Sequence, residues 1–223
     1  MIVFPSSPHP ARLLLSALGL LLATLHLPAA EPTLLEPAAT QDLLARLELT
    51  QSRQGPRQMS FLETRSSPLL QHPIEQQGTL AFAPPDRFRK ESDISVLLSD
   101  GKHFWIVYKD LSEIEKYSLE GRSPLSRELQ TILSGFRPAQ LQRVFHVHAF
   151  ALGEGFELVL TPRQARRSPV QEIRSRWSSD FALQSLVMQG EDGSRTEFRF
   201  SHHLPLEVTA ETFAPPNAGA EEE

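Results

Sequence analysis

From Arg57 onward the chain is cut into strand-length segments by turn chemistry, and that succession limits the folds open to it. "RQMSFLETRSS" (57–67) is followed by "IEQQGTLAFA", "DRFRKESD", "ISVLLSD", "KHFWIVYKD" and "SEIEKYSLEG". Leu80 and Phe82 share one parity, and so do Ile94, Val96 and Leu98, the period-2 pattern of strands. Asp100-Gly101 lies between two apolar runs, and this pair supplies the positive φ that a tight type I′ hairpin turn demands. The arm after it, His103 to Tyr108, is apolar on both parities, so both of its faces need apolar company. A helical interlude follows. Ser123-Pro124 opens it, Leu125, Leu129, Ile132 and Leu133 recur at i, i+4, i+7 and i+8, and Gly135 suits its end. A second short helical turn is expected from Pro138 to Gln142. Strands resume with "RVFHVHAFAL", "GFELVLTP", "SPVQEIRSRWS", "FALQSLVMQ" and "RTEFRFSHH", and one more is expected near Leu206 to Thr209. Asp192-Gly193 marks a second hairpin turn. About eleven meandering strands do not stay flat. The expectation is an α+β, mainly β fold: a strongly curved antiparallel sheet, or incomplete β-barrel, with helices covering its open concave side.

The N-terminus reads as an export leader over residues 1–30. Arg12 precedes an apolar run from Leu13 to Leu25, shorter than the about 20 residues of a membrane span, and "LPAA" suits cleavage near Ala29 or Ala30. An uncleaved anchor is the competing reading. Residues 31–39 form a Pro-rich spacer, 40–214 the folded domain, and 215–223 an acidic tail with a disordered composition. Thr40 is read as the N-cap of a helix bearing Leu43, Leu44 and Leu47, which Gly55-Pro56 ends. The chain has no cysteine, which removes disulfides, thiolate metal sites and cysteine nucleophiles. It also removes the lipidated cysteine by which exported bacterial proteins are tethered. Net charge is −5, with no basic excess for nucleic acid.

Familiar catalytic signatures such as GxSxG, HExxH, GxGxxG and the Walker loop are missing. His146 and His148 share a strand face and His202-His203 end another strand, but no carboxylate is spaced to complete a zinc site. Arg163, Arg166 and Arg167 form a basic loop that fits either anionic headgroups or plain solvation. The charges around Phe88 in "DRFRKESD" read as an exposed strand with cross-strand ion pairs. Thirteen Phe and two Trp are compatible with either a closed core or a ligand-holding concavity.

Four stretches resemble landmarks of a known family, in register. They are "QGTLAFAPPDRFRKE" with Gly78, Pro85 and Phe88; "VLLSDGKHFWIVY"; "FELVLTPR"; and "FAPPNAG". The family is LolA, the periplasmic carriers of outer-membrane lipoproteins, and the resemblance covers about Thr40 to Gly219. It implies a cavity for acyl chains of a lipoprotein or related lipid, loading from an inner-membrane release complex, and delivery to a LolB-like outer-membrane receptor. It further implies a diffusible periplasmic monomer with no cofactor, no nucleic-acid partner and no enzymatic role. On this resemblance Leu80, Phe82, Phe88, Leu97, Phe104, Ile106, Phe156, Leu158 and Leu160 line the cavity, and Leu129, Ile132 and Leu133 form a lid. Arg163, Arg166 and Arg167 are the candidate partner or headgroup contacts. Two departures stand out. Pro84 occupies the place of a family arginine that latches the lid, with Arg87 or Arg89 as substitutes, and Lys90 stands where the family often has an aromatic. A sensor of envelope lipids built on the same fold is the alternative function.

Overall fold

Pro37, not Thr40, opens the first helix, because a proline at the first helical position is already fixed at a helical φ. Helix α1 (Pro37–Gln54) begins inside the Pro-rich stretch, which also supplies strand β1 (Thr33–Leu34). Thr40 is therefore buried within the helix, and its hydroxyl donates to the Leu35 carbonyl at 3.5 Å. Gly55, at φ 67°, ends α1 as expected. The structure, a computed structural model, describes residues 31–84, 86–111, 113–118 and 138–215. The leader, the helical stripe of Leu125, Leu129, Ile132 and Leu133, and the tail beyond Pro215 lie outside the described residues.

Strands β2 (Arg57–Ser66), β3 (Ile74–Ala83), β4 (Arg87–Ser92), β5 (Ser95–Ser99), β6 (His103–Tyr108) and β7 (Glu113–Ser118) form one meander. Helix α2 (Pro138–Val144) leads into a second meander. Its strands are β8 (Phe145–Leu152), β9 (Gly155–Pro162), β10 (Val170–Ser178), β11 (Leu183–Gly190) and β12 (Arg195–Pro205). Among the described residues these make one twelve-stranded antiparallel sheet in the order β1-β8-β9-β10-β11-β12-β2-β3-β4-β5-β6-β7. The sheet is not closed: β1 and β7 are its two edges. Leu206 to Thr209 is not a strand. A bulge between Ser201 and Leu204 interrupts the pairing of β12 with β2, which resumes at Leu204 and stops at Pro205, and the following segment packs Leu206, Val208 and Phe213 on Ala81 and Ala83.

Strand parity divides the sheet into two faces. The concave face carries Phe156, Leu158 and Leu160, then Trp177, Leu186, Phe198, Phe200, Phe61, Met59, Leu80, Phe82, Phe88, Leu97, Phe104 and Ile106 in cross-strand rows. Helix α1 lies over the β8–β11 part of this face. Its stripe of Thr40, Leu44, Leu47 and Gln51 is buried, and Leu44 and Leu47 join Leu141 of α2, Phe145, Leu158, Leu160 and Ile173 in the main core. The arm after Asp100-Gly101 does use both faces. Phe104 and Ile106 face inward, while Trp105 and Val107 pack with Val96 and Leu98 on the convex side.

The Asp100-Gly101 turn differs from the tight type I′ form, since only Gly101 takes a positive φ, 95°. The Asp100 side chain completes the turn instead, Oδ1 accepting the N–H groups of Lys102 and His103 at 2.7 Å each. Burial raises its pKa, but these backbone donors outweigh that, and the carboxyl rests below its ordinary range. A depressed carboxyl stabilises the fold above its unfolded pKa and loses that contribution as pH falls through the folded value. Asp100→Ala is expected to cost about 1 kcal/mol at pH 7. The gap between wild-type and variant urea midpoints should narrow below about pH 4. A gap that stays constant down to pH 3 would refute this account of the turn.

Candidate lipid-binding cavity

The part of the concave face that α1 leaves uncovered is a cavity of about 530 Å³. Its floor is β2, β12 and β11, giving Met59, Phe61, Phe198, Phe200, Leu186 and Met188. Leu80, Phe82 and Leu97 form one wall, and Trp177, Phe181, Ala182 and Leu183 the other. Gln51 and Gln54 of α1 border it. The second wall is fixed by rings: Phe156 stacks on Trp177 at 6.0 Å and meets Phe181 at 5.4 Å, and the Arg46 guanidinium of α1 sits 5.4 Å from the Phe181 ring. Trp177 Nε1 donates to Ser175 Oγ at 3.0 Å, satisfying its one polar atom inside the core.

All nine residues expected in the cavity lie on the concave face, but three of them, Leu80, Phe82 and Leu97, line the open space. Phe88, Phe104 and Ile106 pack behind them as the supporting wall. Phe156, Leu158 and Leu160 belong to the core beneath α1 and α2, because the helices occupy that half of the concavity. Neither substitute latch faces inward. Arg87 stacks on Phe213 at 5.4 Å on the convex side, and Arg89 pairs with Glu91 at 3.0 Å. Arg163 holds the loop to α2, Nε donating to the Gln142 carbonyl at 2.8 Å, while Arg166 is exposed. Arg167 lies in a 3-10 turn, and its side chain is outside the described residues. His146 and His148 are exposed on the convex side. Among the described residues no three His, Asp or Glu side chains converge as metal ligands.

Polar groups enter the cavity at two places; the sequence singles out His203 at one and Lys90 at the other, but not their partners or their position in the cavity. At one end Arg57 bonds the Gln54 side-chain oxygen, with Asp180 and His203 also in the lining. Burial, reinforced by the Arg57 charge, holds His203 below the ordinary imidazole range. Toward the other end Glu63 and Lys90 are paired inside the greasy wall, and Arg65 also binds Glu63. "DRFRKESD" is thus not wholly an exposed strand: Arg87, Arg89 and Glu91 point out, whereas Phe88, Lys90 and Ser92 are buried inward. Strand parity from Phe88 would have indicated this.

A curved open sheet with a helix across one half and an apolar cavity in the other is a lipid- or lipoprotein-binding carrier fold. The chain belongs to the LolA family: the family described as "Outer membrane lipoprotein carrier protein LolA" matches residues 57–215, well over half of the sequence. No curated protein sequence matches the chain. Among solved structures, a LolA superfamily protein from Nitrosomonas europaea is similar at 11% identity and TM-score 0.44, covering 78% of this chain and 97% of that one. A DUF1329 family protein from Desulfovibrio piger is similar at 10% identity and TM-score 0.40, covering 74% and 91%. Lipoprotein LppX from Mycobacterium tuberculosis is similar at 11% identity and TM-score 0.38, covering 76% and 99%. The family assignment rests on the sequence match.

Proposed function

We propose that this protein is a carrier of the bacterial envelope that takes acyl chains of a lipoprotein or related lipid into its cavity and conveys them from the inner to the outer membrane. The observation that carries the reading is the cavity: about 530 Å³, open, and walled by Met, Leu, Phe and Trp side chains. That volume is within the range of about 300–1,000 Å³ usual for ligand sites. Each methylene sheltered from water contributes about 0.8 kcal/mol, so enclosing an acyl chain offsets most of the cost of carrying it through an aqueous space while leaving its release reversible. Family membership supports the cargo class, an inner-membrane complex that loads it, and an outer-membrane acceptor.

Native mass spectrometry of the protein taken from the periplasm tests this directly. Co-purified lipid or acylated peptide is the expected result. An empty protein that also fails to take up a fluorescent fatty acid overturns it. Leu97→Trp combined with Ala182→Trp puts an indole into the cavity from each wall. Uptake is expected to fall at least about tenfold, because displaced methylenes return to water. The thermal midpoint should move by only a few degrees, since both positions border open space.

A further inference from the structure

Two cations share one anion inside the apolar wall. Glu63 Oε2 accepts from Lys90 Nζ and Glu63 Oε1 accepts from Arg65 Nε, so both carboxylate oxygens are engaged and the cluster keeps one net positive charge. The Glu63 and Lys90 side chains are 1% and 8% exposed, and Arg65, at 49%, reaches the solvent. The Lys90 ammonium also lies 5.0 Å from the Phe61 ring and 5.2 Å from the Phe198 ring. These ring faces are weak substitutes for water around a cation. Burial accordingly pulls the Lys90 pKa down, and the attraction of Glu63 offsets that only in part.

The convex side shows what an ordinary buried carboxylate looks like in this sheet. Glu157 is also buried, but its partners Arg174 and Arg176, at 3.2 and 3.0 Å, run out to solvent. Lys90 has no such exit. Its ammonium can donate three hydrogen bonds, and it faces the cavity with an anion deficit around it. A neutral head on an acyl chain satisfies little of this, and a cationic head is repelled. A carboxylate or phosphate at the chain's end would take the remaining donors and the charge of Arg65, in a place where charge-assisted bonds are strong.

We infer that Lys90, Arg65 and Glu63 form an anion subsite within the cavity, and that the cargo is an amphiphile carrying a carboxylate or phosphate next to its acyl chain. This rests on the carrier reading above and narrows it. The test is calorimetric titration of the delipidated full-length exported protein at pH 7.5 with three twelve-carbon probes: laurate, dodecyl phosphate and dodecanol. Both anions are expected to bind at least about tenfold tighter than dodecanol, the least that one hydrogen bond to a charged group provides. Acetate and inorganic phosphate, the same charges without a chain, should fail to displace laurate. In the triple variant Lys90→Met/Glu63→Leu/Arg65→Leu, which removes both cations together with the anion they share, the ratio of laurate to dodecanol affinity should fall to within about twofold.

Equal binding of laurate and dodecanol by the wild type overturns the subsite and leaves the carrier reading standing. So does a preference that survives in the triple variant. Displacement of laurate by inorganic phosphate overturns the assignment to an amphiphile. Binding of none of the three probes overturns the subsite and the carrier together.

Discussion

Lys90→Met alone is expected to lower the unfolding free energy by about 3 kcal/mol, whereas adding Glu63→Leu should restore it to the wild-type value or above. The single change strands a carboxylate that is 1% exposed, and a buried charge without its partner costs more than the pair was worth. Arg65 remains beside Glu63, which keeps the loss at the lower end of the usual range. The double change removes both desolvation costs and puts two apolar side chains among Phe61, Phe198 and Leu80. The depressed Lys90 pKa points the same way, because it means the folded state disfavours the charged lysine relative to water. Urea midpoints of the delipidated wild type, single and double variants measure this. A single variant as stable as the wild type, or a double variant as weak as the single, would refute it.

That ledger bears on purpose. A cavity wall made only of apolar side chains would be at least as stable, so folding gives no reason for the ion pair to be there. Polar groups retained at such a cost are found where a ligand is read. At the opposite end of β2, six residues and about 20 Å along the strand, Arg57 gives the cavity a second polar boundary. The greasy stretch between, Met59 and Phe61 on β2 with Leu80 across from them, is where a chain would lie.

The meander could be read from the sequence because each turn interrupts a period-2 pattern, and Leu80 and Phe82 share a face in it. The arm from His103 to Tyr108 is apolar on both parities, so the pattern did not say that Phe104 and Ile106 rather than Trp105 and Val107 face inward. Parity alone does not separate cavity from core. That division depends on where α1 comes to rest, and the stripe of Leu44 and Leu47 says that the helix packs, not against which half of the sheet. Strand β1 was out of reach, since two residues carry no periodicity. Glu63 and Lys90 were hidden for another reason. Glu63 looks like an ordinary surface charge within its own segment, and Lys90 stands out only as a charge at a place where the family often has an aromatic. The two meet only because β3 stands between β2 and β4 in the sheet. The inward parity of "MSFLE", from Met59 through Phe61 to Glu63, was the available signal for one of them.

Gly78→Ala is expected to destabilise the protein by about 3 kcal/mol, the upper end of overpacking penalties, despite replacing a strand glycine with a better strand former. A Cβ at this position would lie 1.9 Å from the Glu91 carbonyl oxygen and 3.0 Å from Cε1 of Phe61. The first of these atoms is backbone, so β3 and β4 must part where Gly78 faces Ser92, one pair from Thr79 and Glu91. The second is the ring beneath the Lys90 ammonium, so the same methyl group disturbs the platform of the ion pair. Gly153 is the matched control: nothing lies within 4 Å of its would-be Cβ, and its φ is not positive. Gly153→Ala should therefore be neutral or stabilise by about 0.5 kcal/mol through the unfolded chain alone. Denaturant melts compare the two, and amide exchange locates the damage, with Thr79 and Leu80 expected to exchange faster only in Gly78→Ala. Equal stabilities for the two variants would mean that β3 and β4 can separate freely, and the rigid wall that holds Lys90 in place would go with them.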